Sequence, residues 1–242
     1  MRTYRLALIG FGNVGQGLTT ILRDYGANIA GQHGADFRIV AVNTARKGRI
    51  YNPDGIDPGQ LLEASAEKRR LDTIPAAYSG WDVQKVIAES NADVVIEMTA
   101  SDLLTGQPAT DYIRAAIAHD RHVITTNKGP VGLFYPELSA MAAERGVALG
   151  VEGTVMGGTP ILRIGRELLA AAGVERIQGI LNGTTNYILT RMAEGESYEA
   201  ALREAQKKGY AEANPSADVD GYDAAVKIVI LSNLLLGIPL KL

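Results

Sequence analysis

Asp223 and Lys227 stand four residues apart in the segment Gly209–Lys227, which also holds Glu212, Asp218 and Asp220. At that spacing two side chains on a helix share a face. The segment runs directly into Ile228-Val229-Ile230-Leu231, so the helix reads as buried. Charges there are costly unless they meet each other or a ligand. A cationic lysine in such a place can stabilise a developing alkoxide and hand it a proton, while neighbouring carboxylates suit a substrate ammonium. Asp220, three before Asp223, is expected near the same face. Taken alone, the pattern is equally that of an ordinary i,i+4 ion pair.

A second constellation lies at the start of the chain. Tyr4–Ile9 is an apolar run suited to a buried parallel strand, followed by Gly10-Phe11-Gly12-Asn13-Val14-Gly15 and a helical pattern through Leu18, Ile21 and Leu22. The spacing is G-x-G-x-x-G between strand and helix, the setting in which the motif binds a dinucleotide. Gly10 permits the tight turn, Gly12 lets backbone approach a pyrophosphate, and Gly15 allows close helix–strand packing. The helix start offers unpaired N–H groups to phosphate. Gly10, Phe11, Gly12, Asn13, Val14 and Gly15 are therefore candidate cofactor contacts. A second strand, Phe37–Val42, leads into Asn43-Thr44-Ala45-Arg46-Lys47-Gly48-Arg49. No carboxylate stands there to repel a 2′-phosphate and three cations lie within reach, which favours NADP over NAD, with Arg46 as the contact. The plain alternative is a set of exposed loop cations.

The elements that must position these residues alternate. The polar stretch 50–73 reads as loops with one helix around Leu61–Arg70, and a helix near Trp81–Ser90 precedes a buried strand over 92–98. Thr99 then falls at the carboxyl edge of the sheet, where small polar groups face a cofactor. A helix over Gln107–His119 and a strand over His122–Thr125 follow, the latter ending at Lys128 before Gly129-Pro130. Lys128 sits where ligands bind in such sheets, although the same tripeptide also suits a surface turn. The stretch Val151–Pro160, with Glu152 and abundant glycine, could line a cation with carbonyl oxygens or serve as a hinge. Beyond it the periodicity predicts helices over 159–172, 184–193 and 198–208 and a strand over 174–181. The expected architecture is α/β: a Rossmann-type doubly wound parallel sheet over residues 1–150, then an α+β substrate and dimerisation domain over 151–242.

Composition narrows the classes. Apolar residues make up 46% and charged residues 21% of the 242, as in globular proteins with a core, and the net charge of −3 leaves no basic excess for nucleic acid. With no cysteine, disulfides, thiolate metal sites and a cysteine nucleophile are excluded. No apolar run has membrane-span length and no signal-peptide anatomy opens the chain, so a cytoplasmic protein is expected.

Taken in order, the glycine loop, Thr125-Thr126-Asn127-Lys128, Glu152–Pro160, Gly179–Leu189 and Gly209–Lys227 resemble the homoserine dehydrogenases over residues 4 to about 238. The resemblance implies an NAD(P)-dependent oxidoreductase interconverting L-homoserine and L-aspartate 4-semialdehyde. It implies Lys227 as general acid/base with Asp223 and Lys128 in the catalytic set, Asp223 and Glu212 as homoserine contacts with Asp218 beside them, and Lys128 and Gly209 as cofactor contacts. Glu152 with the carbonyls of Val155, Gly157 and Thr159 matches the family's sodium site, and a homodimer is implied. Met156 stands where the family has Gly, Thr159 where it has Ile or Leu, and Asn214 where Asp is usual. His33, His119 and His122 lie outside the family blocks, so no histidine acid is expected. Family chains continue past Gly237-Ile238-Pro239, so a C-terminally incomplete second domain is expected. The competing readings are another amino-acid-pathway reductase and a catalytically inactive nucleotide-binding protein.

Overall fold

A computed structural model describes residues 1–242. Contacts divide the chain into two units: residues 1–130 with 136–151, and residues 131–135 with 152–242. The first unit is built on a seven-stranded sheet in the order β4-β3-β2-β1-β5-β6-β7. Its strands are β1 (Arg2–Ile9), β2 (Ala35–Asn43), β3 (Arg49–Tyr51), β4 (Tyr78–Ser79), β5 (Val94–Glu97), β6 (His122–Thr125) and β7 (Leu149–Gly150).

The five strands β2, β1, β5, β6 and β7 run parallel, with helices between them, because parallel neighbours need a crossover. The apolar run Leu6–Ile9 of β1 is fully buried at the centre. The chain passes from β1 to β2 on one side and later to β5 on the other, which opens a crevice at the carboxyl ends of β1 and β5. The sheet departs from the all-parallel expectation at one edge, where β3 and β4 pair antiparallel. Neither short strand is expected from the sequence; Tyr51 packs against Tyr78 and Trp81, the three rings lying 4.8–5.5 Å apart.

Local chemistry sets the helix limits. Helix α1 (Asn13–His33) ends at Gly34 with φ +65°, the left-handed C-terminal turn that glycine adopts freely. Helix α2 covers Pro58–Ala66 rather than 61–70: the Asp57 carboxylate accepts from the Gln60 amide at its start, with Pro58 at the first position. Left-handed Lys68 ends it. Helix α3 (Val83–Glu89) starts at the Asp82 cap, and α4 spans Ala109–Ala118. Helix α5 (Lys128–Arg145) opens on Asn127, whose side-chain oxygen accepts from the Gly129 amide at 3.2 Å. None of these helices is long and apolar enough to cross a membrane.

The second unit is helical. A short helix α6 (Ile161–Arg163) passes into a π-helical turn over Ile164–Leu168, so the helix expected over 159–172 is shorter. Helices α7 (Gly183–Ala193), α8 (Tyr198–Lys207), α9 (Ser216–Val219) and α10 (Tyr222–Leu231) follow. The strand expected over 174–181 is not formed: the segment has no strand beside it to complete a ladder, and alternation without a partner does not make a sheet. Residues Ile188, Ala201, Ala205 and Ala211 make a small core between α7 and α8.

Gly10 and Gly12 should separate fold from site. A Cβ on Gly10, at φ +103°, would lie 2.5 Å from the Met98 carbonyl oxygen, whereas nothing lies within 4 Å of one on Gly12. Gly10→Ala is expected to lower unfolding free energy by about 2–4 kcal/mol in urea denaturation. Gly12→Ala should stay within about 1 kcal/mol of wild type.

Candidate active site

In the first unit the glycine loop forms one wall of a cleft of about 780 Å³, lined by Gly10, Phe11 and Gly12 on one side and Thr99 and Ala100 on another. Gly12 caps α1 with no side chain bonded to the first-turn amides, so N–H groups and the positive helix end are presented to an anion. Gly10 is the cradle residue, since a side chain there would close the approach to Met98 and Thr99. The residues present therefore fit a dinucleotide pyrophosphate. Asn13 and Val14 are exposed at the helix start and Gly15 is buried beneath the loop, where a Cβ would meet the Gly10 carbonyl at 3.0 Å.

Arg46 lines this cleft together with Lys47 and Arg49. Lys47 had no separate role in the sequence reading. Its Nζ donates to the Phe11 carbonyl at 3.0 Å, which pins a cation directly on the glycine loop. Tyr112 and Pro108 also line the cleft; they come from the start of α4, and no local signal points to them. Lys128 is outside that lining, half-buried at the first position of α5.

The charged cluster of the second unit is compact. Lys227 Nζ lies 2.7 Å from Asp223 Oδ2, their side chains only 17% and 8% exposed. It also donates to the Leu181 carbonyl at 2.6 Å. Asn182 closes the cluster from α7: its Nδ2 donates to Asp218 Oδ1 at 2.7 Å and to Asp223 Oδ2 at 2.9 Å. Its Oδ1 accepts from the Thr185 amide at 2.8 Å, so the same residue caps the helix and joins two carboxylates. Asn182 was read only as part of a motif, because its partners are 36 and 41 residues away.

Asp220 does not share this face. Helix α10 starts only at Tyr222, after left-handed Gly221 at φ +84°, and Asp220 is exposed before the break. Glu212 lies exposed between α8 and α9 and takes no part in the Asn182 hydrogen bonds to Asp218 and Asp223. Gly209 is also exposed there, at φ +75°. A second pocket of about 550 Å³ is lined by Thr184, Tyr187 and Tyr210. At its rim Lys208 donates to the Tyr187 hydroxyl and pairs with Glu204, both at 2.8 Å. The Glu204 carboxylate and the Tyr187 hydroxyl raise the Lys208 ammonium well above its ordinary value.

The glycine-rich stretch is turned onto α6. Glu152 accepts from the Leu162 and Arg163 amides at 3.0 and 2.9 Å, and the Thr159 carbonyl accepts from Ile161 at 2.8 Å. A cation held there would have to share Glu152 with those two amides. Met156 adopts φ +52°, a conformation that glycine takes without steric penalty.

Known proteins match both parts of the chain. The family model described as homoserine dehydrogenase, NAD binding domain, matches residues 10–152, and the one described as homoserine dehydrogenase matches residues 160–242. An NAD(+)-dependent homoserine dehydrogenase of Pseudomonas canavaninivorans is 38% identical over 99% of this chain and 68% of its own length. The homoserine dehydrogenase of Methanocaldococcus jannaschii is 39% identical over 96% of this chain and 69% of its own. A hyperthermophilic archaeal homoserine dehydrogenase solved in complex with NADPH superposes with TM-score 0.86 at 28% identity, covering 98% of this chain and 71% of that one. The chain spans only about half of longer relatives, 49% in Bacillus subtilis. On this evidence the chain belongs to the homoserine dehydrogenases, a family of NAD(P)-dependent enzymes.

Proposed function

We propose that the chain interconverts L-homoserine and L-aspartate 4-semialdehyde, with Lys227 as the proton carrier for the reacting oxygen. The observation that carries this is the buried Lys227–Asp223 pair, clasped by Asn182. An ammonium has three N–H bonds; Asp223 and the Leu181 carbonyl take two, which leaves one to meet a substrate oxygen. Low exposure strengthens that interaction relative to water. When bound, NAD(P) supplies or accepts the hydride. In aldehyde reduction the Lys227 ammonium stabilises the alkoxide and gives it a proton from Nζ; in homoserine oxidation the neutral amine takes the hydroxyl proton. Asp223 holds the Lys227 ammonium through Oδ2, and Asp218, Asp223 and Glu212 are assigned to the ammonium of the substrate. Lys128 is assigned as a second active-site lysine, and Gly209 as a cofactor contact.

The cationic edge of the cleft supports NADP over NAD. No Asp or Glu lines the cleft, and Arg46, Lys47 and Arg49 do; a 2′-phosphate meets bidentate or point charges there rather than repulsion. Relatives differ in this respect, one being named NAD(+)-dependent and another solved with NADPH. A sodium ion at Glu152 and the carbonyls of Val155, Gly157 and Thr159, and assembly as a homodimer, belong to the same proposal and carry no chemical step.

Three measurements test it. Lys227→Ala should lower homoserine-dependent cofactor reduction by at least about 100-fold; undiminished turnover would remove Lys227 from the mechanism. Arg46→Ala and Lys47→Ala should each raise KM for NADP about 10-fold or more while leaving KM for NAD nearly unchanged. No change with either cofactor would return these residues to exposed loop cations, and equal losses with both would place their contact on the shared pyrophosphate. Asn182→Ala leaves Asp218 and Asp223 without their shared donor, and should cost about 1–3 kcal/mol in thermal unfolding as well as turnover.

A further inference from the structure

Glu97 is 0% exposed, and none of the proton chemistry above uses it. It ends β5, in register between Ile9 of β1 and Thr125 of β6. Its partners are neutral donors. Oε1 accepts from the Thr99 amide at 2.8 Å and the Thr99 hydroxyl at 2.5 Å, and Oε2 accepts from the Thr125 hydroxyl at 2.8 Å. A carboxylate withdrawn from water persists only where such donors replace hydration.

An ionised carboxylate accepts and never donates, so it fixes the direction of the Thr125 bond, and backbone amides fix those beyond it. Thr125 must give its only hydroxyl proton to Glu97, which leaves the oxygen to accept from the Asn127 amide at 3.0 Å. Asn127 Oδ1 accepts from Ser101 at 2.5 Å and from the Gly129 amide at 3.2 Å. Ser101 in turn accepts from the Lys128 amide at 3.2 Å. The other arm holds Thr99, which lines the dinucleotide cleft opposite Gly10. One buried charge thus reaches both the cleft wall and the first turn of α5.

We infer that Glu97 is a positioning residue of the dehydrogenase, its carboxylate orienting Thr99 at the cofactor cleft and, through Thr125, Asn127 and Ser101, the backbone that carries Lys128. The inference rests on the dehydrogenase reading above. Glu97→Gln keeps the shape but has a single acceptor oxygen. The Thr99 arm includes an amide N–H that cannot reverse, so the glutamine oxygen turns to Thr99 and its NH₂ faces Thr125. The damage therefore falls on the Lys128 arm.

The test is NADPH binding by fluorescence titration, alongside homoserine oxidation with NADP, for wild type, Glu97→Gln, Thr125→Val and the double variant. Loss of a hydrogen bond to a charged group predicts a kcat lower by about 10–100-fold in each single variant, with the dissociation constant for NADPH within about threefold of wild type. The double variant should be no worse than the poorer single one, because both act through one network. Thr125→Ser, which restores the hydroxyl, should recover most of kcat. Should Glu97→Gln fail to fold by circular dichroism, Thr125→Val with its Thr125→Ser rescue decides the matter alone. Wild-type kcat in Thr125→Val, losses that multiply in the double variant, or no rescue by serine would overturn the inference while leaving the dehydrogenase reading intact. Wild-type protein that neither binds NADPH nor oxidises homoserine would overturn both.

Discussion

A carboxylate moved out of water must be met by donors, and the two units of this chain are organised around that requirement. In the first unit Glu97 collects Thr99, two residues past it on its own chain segment, and Thr125 from the end of the neighbouring β6. In the second, Asp223 collects Lys227 from the next helical turn and Asn182 from the start of α7. A buried carboxylate left without such partners costs several kcal/mol, so each arrangement fixes not one side chain but the backbone ends that supply the donors. Those ends are the ones that carry Thr99, Lys128 and the Asp218–Lys227 cluster.

Lys227 is held in place by the same constraint. On an exposed helix an i,i+4 pair contributes a few tenths of a kcal/mol and holds nothing in place. With the apolar side chains Val226, Val229 and Ile230 buried on the same helix, both partners are drawn inward and the ammonium is held by a carboxylate and a carbonyl. Small residues make room for this packing: a Cβ on Gly132 would collide with Val226, and one on Gly165 would lie 2.6 Å from Leu235. The helix that bears Lys227 is therefore seated by its apolar side.

Much of the first unit was legible as sequence. The Gly10–Gly15 spacing, the apolar strand before it and the uncapped helix after it are local features, and the structure shows each in place. The strand over 122–125 is found with the expected limits. The errors have a common origin. The residues 174–181 have strand-like composition but no neighbour to pair with, and β3 and β4 have little intrinsic signal but find pairing partners. Asp220 was placed near Asp223 by counting residues, and the left-handed Gly221 interrupts the helix on which that count depends.

The sequence by itself determined the parts whose cause lies within one helical turn or one loop: the glycine turn and the shared face of Asp223 and Lys227. These depend on backbone conformations and spacings that neighbouring residues impose. Only the tertiary structure decided that Asn182 joins Asp218 to Asp223, that Lys47 is anchored on the Phe11 carbonyl, and that Glu97 ties the ends of β5 and β6 together. Each of those bonds spans from 28 to 41 residues. Its existence follows from which segments the buried core brings side by side, and a hydrogen bond between such segments leaves no periodic trace in either one.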